Sequence, residues 1–139
     1  MFAAPKIAAR KPIFAADMEN WQVDFEFLRV QHIVQKTMNQ PVLPALDTVL
    51  FLIGIQELGR WKKSFSKEEK TDLMHLAVCR LLSYDGHFEF VGRDADGWPH
   101  WKQVSFVEKR DLMGQETLLK INAVRYFDEL EKENGGFGV

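Results

Sequence analysis

The chain has 139 residues, a length for one domain able to bury roughly two-thirds of its unfolded surface. Eighteen basic residues against twenty acidic ones give a net charge of −2, which excludes the strongly basic balance of a dedicated nucleic-acid-binding domain. The one cysteine, Cys79, excludes an intrachain disulfide and favours a reducing, cytoplasmic compartment.

Residues 1–16 carry Lys6, Arg10 and Lys11 and no acid. A secretory signal needs an apolar run of about 7–15 residues, and Pro5, Pro12 and the charges break every candidate. Two prolines also oppose the amphipathic helix of a transit peptide. The expectation is a flexible basic arm over 1–16, a single globular domain over 17–133 and a disordered tail over 134–139.

Asp17 is placed to cap a first helix running to about Met38. Trp21, Phe25 and Leu28 form one apolar stripe on it, and Val23, Phe27, Val30 and Val34 form a second. Two adjacent stripes predict a wide buried face, with Asp24, Arg29, Gln31 and Gln35 as the wet positions. Pro41 to Pro44 then leads into the stretch PALDTVLFLIGIQELGRW, Pro44 to Trp61. Its apolar residues cover nearly the whole circumference of a helix, and a helix apolar all round is buried all round. Gly54 interrupts it at about 1 kcal/mol against alanine, which makes sense where another backbone approaches closely. Gly59 ends the helix, with Arg60, Lys62 and Lys63 near the negative end of its dipole. The run is too short to cross a bilayer.

Ser66 and Glu69 form a capping box that opens a third helix, running to about Tyr84 and stopped by Gly86. From His87 the period changes to the alternation of a strand, with Phe88 and Phe90 on one side. Gly92 to Gly97 is turn composition, and Trp98 to Phe106 returns as a second strand that Pro99 makes irregular or an edge. Ser105 with Glu108 leaves residues 105–111 open between strand and a second capping box. The last helix is expected from about Leu112, capped by Asp111, to Lys132, with Leu119, Ala123, Tyr126, Phe127 and Leu130 inward. The fold is therefore mainly α, of the α+β class: a four-helix domain around a buried central helix, with one antiparallel β-hairpin between helices 3 and 4.

Five groups of residues could carry function. Glu68, Asp72, His75 and Cys79 lie four, three and four residues apart, on one strip of the third helix opposite the leucines. A carboxylate, an imidazole and a thiol there could bind a metal or activate the thiol. A zinc site needs about four ligands, and only two good ones are present. Asp94, Asp96 and Gly97 fit the middle of a calcium loop, but its first and twelfth ligand positions fall on Gly92 and Gln103, so an acidic turn explains them better. His87 and His100 could face each other across the hairpin. Phe88, Phe90, Trp98 and Trp101 are more aromatic surface than a two-stranded ribbon can bury by itself, which points to a packed face or a protein interface. Arg60, Lys62, Lys63 and Lys67, interleaved with Trp61 and Phe65, could contact phosphates and bases, although their number is small. No phosphate loop, dinucleotide fingerprint, nucleophile elbow, HExxH helix or C-x-x-C pair occurs.

The function expected from the residues is that of a small non-enzymatic soluble protein acting by contact with another protein or with itself. Surplus apolar surface predicts a homodimer with Trp98 or Trp101 in its interface. The alternatives are a metal-binding protein or enzyme using Asp72, His75 and Cys79, and a weak nucleic-acid binder using Arg60–Lys67. No cofactor and no membrane is expected.

Overall fold

A computed structural model describes residues 19–106 and 112–134. The elements in chain order are α1 (Asn20–Thr37), α2 (Leu46–Leu58), α3 (Lys67–Leu82) continued by a 3-10 turn (Ser83–Asp85), β1 (Phe88–Arg93), β2 (Pro99–Gln103) and α4 (Leu112–Asn134). This is the expected mainly helical α+β arrangement, with the antiparallel hairpin between the third and fourth helices. The basic arm, the Asp17 cap, residues 107–111 with the Asp111 cap, and the tail from Gly135 lie outside the described residues.

The local signals explain most of the boundaries. Ser66 Oγ accepts from the Glu69 N–H at 3.1 Å, and the Glu69 carboxylate accepts from the Ser66 N–H at 2.9 Å, so the capping box opens α3. The helix α1 starts one residue after Glu19, whose N–H donates to Gln22 Oε1 at 2.8 Å. Gly59 takes the left-handed conformation, φ 80°, and ends α2. The carbonyls left over at that end are capped by a residue from far along the chain. The Arg93 guanidinium donates to Glu57 O at 2.8 Å and Leu58 O at 3.2 Å, fastening the hairpin to α2.

Seven of the thirteen residues of α2 are buried, the densest share of any helix, as its all-round apolar pattern predicts. It packs most extensively on α3, while α1 packs on α4. Gly54 sits where α2 crosses α3: a Cβ there would lie 2.2 Å from the carbonyl oxygen of Leu73, closer than any atom pair tolerates. The main core gathers Phe27, Val30 and Val34 from α1, Val49, Leu50, Leu52 and Ile53 from α2, Ala77 and Leu81 from α3, and Ala123, Val124, Tyr126, Phe127 and Leu130 from α4. A second cluster of Ile55, Leu58, Leu73 and Leu76 carries the hairpin, with Trp98 and Trp101 packed against it.

One expectation about the core is overturned. Of the two α1 stripes, only Val23, Phe27, Val30 and Val34 are buried; Trp21 and Phe25 are each 67 % exposed and Leu28 38 %. The helix has one neighbour on its inner side, α4, with α2 beside it, and these cover one stripe. The Arg29 guanidinium, bridging to Asp128 and Glu131 of α4, fixes that rotation, and Gln31 Nε2 donates to Pro44 O at 2.8 Å on the other flank. Arg29, Gln31 and Gln35, expected to be wet, are half-buried for this reason.

Candidate functional site

The hairpin closes over one side of α3. Its tip is built by Asp94, whose Oδ1 accepts from the N–H groups of Asp96 (2.9 Å) and Trp98 (3.0 Å). Asp94 Oδ2 pairs with His100 Nε2 at 2.9 Å. The hydrogen bond with His100, then that from the Trp98 N–H, holds the Asp94 carboxyl below its ordinary range. A carboxylate turned onto its own turn backbone organises the loop, which is the acidic-turn reading rather than the calcium one. The register pairs Phe88 with Gln103, Phe90 with Trp101 and Arg93 with Pro99, with a bulge between Phe90 and Gly92. His87 and His100 therefore do not face each other: His87 Nδ1 pairs with Ser105 Oγ at 2.9 Å, at the base of the ribbon.

Between hairpin and helix lies an open groove of about 430 Å3, lined by Asp72, His75 and Cys79 of α3 and by Asp94, Trp98, His100 and Trp101 of the hairpin. Two groups proposed separately from the sequence thus share one site. Its chemistry is restrained. Cys79 is 3 % exposed, because the hairpin covers that part of α3. Its Sγ lies 3.6 Å from His75 Nε2, yet burial pushes the thiol's pKa upward, away from the thiolate that a nucleophile or a metal ligand requires. Among the described residues no three His, Cys, Asp or Glu side chains converge closely enough to hold a metal ion. Glu68, the remaining member of the strip, does not line the groove.

The other predicted residues separate. Trp98 and Trp101 are half-buried on the second core cluster, and the buried Trp101 indole Nε1 has no hydrogen-bond partner among the described residues. Phe88 is half-buried, while Phe90 remains 54 % exposed beside Trp101, ring centroids 5.4 Å apart. The basic segment is largely engaged in intramolecular contacts. Arg60 Nη2 donates to Asp96 O at 2.5 Å, and Lys62 pairs with Glu69 at 2.7 Å, while Lys63 and Lys67 are exposed.

One exposed apolar surface was hidden by the pattern that revealed the helix. Trp21, Phe25 and Leu28 stand at i, i+4 and i+7 on the outer face of α1, flanked by exposed Asp24 and His32. At 100° per residue this stripe lies on the side of α1 opposite Val23, Phe27, Val30 and Val34, so the two do not merge into one wide face, and spacing alone does not say which of them is buried. The available signal was Arg29, a cation between the stripes that needs an acidic neighbour. No helix among the described residues is long and apolar enough to cross a membrane. Comparison with family models, with curated proteins and with solved structures gives no match.

Proposed function

We propose that the protein is a non-enzymatic contact module that binds a protein surface through the outer face of α1. The observation that carries this is the exposed stripe of Trp21, Phe25 and Leu28, on a helix whose opposite side is fully packed. Large aromatics in water have no stabilising role in the monomer, and contiguous apolar surface of this kind marks interaction sites. An amphipathic helix presenting anchors at i, i+4 and i+7 is a recurrent recognition surface. The hairpin aromatics are a lesser contributor, because Trp98 and Trp101 already pack on the second cluster and only Phe90 is open. The buried free thiol of Cys79 suits a reducing, cytoplasmic setting.

Replacing Phe25 by the photoreactive residue benzoylphenylalanine in the full chain tests the reading. A discrete adduct, absent when the probe is placed at the exposed Lys67 instead, is the expected result. Failure to form any adduct at position 25 would remove this function.

The metal or enzyme reading through Asp72, His75 and Cys79 draws on the groove those residues share with Asp94 and His100. It is the weaker one, because the thiol is held protonated and three ligands do not converge. Stoichiometric zinc or iron in purified protein, lost in His75→Ala, would reverse that order. Nucleic-acid binding by Arg60, Lys62, Lys63 and Lys67 is weaker still, since two of the four cations are engaged within the chain.

A further inference from the structure

We propose that the hairpin is a hinged lid: it lifts off α3 as one unit while the four helices stay packed, and this opening, not global unfolding, gives access to Cys79. The opening is independent of the α1 face. The core is divided in a way that permits it. Among the described residues no hairpin side chain enters the main core, whose buried members come from the four helices. Trp98 and Trp101 pack instead on the second cluster, which has four buried residues among those described against fourteen in the main core. Lifting the hairpin therefore uncovers the smaller cluster and leaves the larger one dry, the pattern of a sub-global opening.

The polar ties sit where a lid needs them. At the base, where the ribbon leaves α3, Gly86 takes the left-handed conformation and the His87 N–H donates to Leu82 O at 3.2 Å. At the tip, Arg93 donates to Glu57 O and Leu58 O, and Arg60 donates to Asp96 O. Two exposed arginines thus latch the hairpin to the C-terminal end of α2. The bonds that Asp94 makes with Asp96, Trp98 and His100 lie within the hairpin and survive its lifting. The closed form also buries the Trp101 indole N–H with no partner among the described residues, a cost that water removes on opening. Beneath the lid, Cys79 and His75 stand one turn apart on α3, Sγ to Nε2 3.6 Å. Opening leaves that pair intact and takes away only its cover.

Labelling of the full chain by a bulky aromatic disulfide measures the opening. The Cys79 thiolate attacks one sulfur of the reagent, a mixed disulfide forms, and the other half leaves as a coloured thiolate. The rate is compared with the unfolded fraction read by helical circular dichroism at each urea concentration. Labelling at least about tenfold faster than that fraction allows, and almost flat in urea below the transition, is the expected result. Arg93→Gln should speed it at least about tenfold more while moving the helical transition far less, and Arg60→Gln should act in the same direction more weakly. In a Cys79→Ser chain carrying Ala77→Cys, the thiol lies in the main core two residues away and should react only as the helices unfold. Labelling of Cys79 that tracks global unfolding overturns the lid. So does labelling as fast as in denaturant, a rate that neither arginine substitution raises, or equal rates for thiols at 79 and 77. Should Arg93→Gln fail to fold, Arg60→Gln and Ala77→Cys still decide between these outcomes.

Discussion

Gly54 and Leu73 meet backbone to backbone, and the geometry leaves no room for a single carbon: a Cβ at Gly54 would stand 2.2 Å from a carbonyl oxygen. Neither partner is the end of a flexible side chain, so two helices would have to part. Gly54→Ala should therefore cost at least the upper part of the ~1–3 kcal/mol typical of overpacking, read as a melting temperature lowered by several degrees. A wild-type melting curve would mean that the α2–α3 crossing is looser than described. This contact was legible in the sequence because glycine in an otherwise all-apolar helix is costly without a close neighbour. Cys79 was not legible in the same way. Its helical position placed it with Asp72 and His75, but the hairpin that covers it comes from residues 88–103, and no local spacing reports that contact. With the thiol buried and its pKa raised by that burial, less thiolate is present at any pH than in the unfolded chain. Alkylation of native protein at pH 8 should be much slower than in denaturant. Equal rates would place the thiol in solvent.

At the scale of the element, boundaries written in one or two residues were read directly, and those made by distant groups were missed. The Ser66–Glu69 box needed only four consecutive residues, and Ser66→Ala should cost about 1 kcal/mol. The hairpin turn was recognised from its composition, but its fastening was not. Arg93 reaches the last carbonyls of α2 across 35 and 36 positions, a role the sequence reading assigned to Arg60, Lys62 and Lys63. Acid offers a test of the turn. Asp94 titrates below the ordinary aspartate range in the folded chain, chiefly because His100 bonds to it. A depressed carboxyl contributes stability above its unfolded pKa and loses it as the pH falls through the folded one. Protection of the Trp98 amide against exchange, taken relative to an unstructured amide at the same pH, should accordingly fall as the pH drops through the Asp94 midpoint, followed by NMR. His100→Ala should move that midpoint upward. If it stays in place, the imidazole is not what holds the carboxyl down.

For the whole molecule, the decisive choice is which of two opposite stripes on α1 turns inward. Both stripes have helical spacing and both contain a phenylalanine, so periodicity alone gives two apolar sides without saying which is buried. The choice is made in three dimensions. Among the described residues α4 and α2 pack on the inner side, and the Arg29 bridge to Asp128 and Glu131 locks α1 with Val23, Phe27, Val30 and Val34 toward them. The result is a helical domain with its core complete and a row of aromatics left in water. Two substitutions two residues apart, on opposite sides of the helix, separate these roles. Phe27, 2 % exposed and packed in the main core, should cost ~3–5 kcal/mol when cut to alanine, from lost burial and the cavity left behind. Phe25, 67 % exposed, should change stability by no more than ~0.5 kcal/mol under conditions where the chain is monomeric. Chemical denaturation at low protein concentration measures both. Comparable losses would mean that both stripes are buried and that α1 has no free face. A stable Phe25→Ala chain would instead leave that side chain available for contact with another molecule.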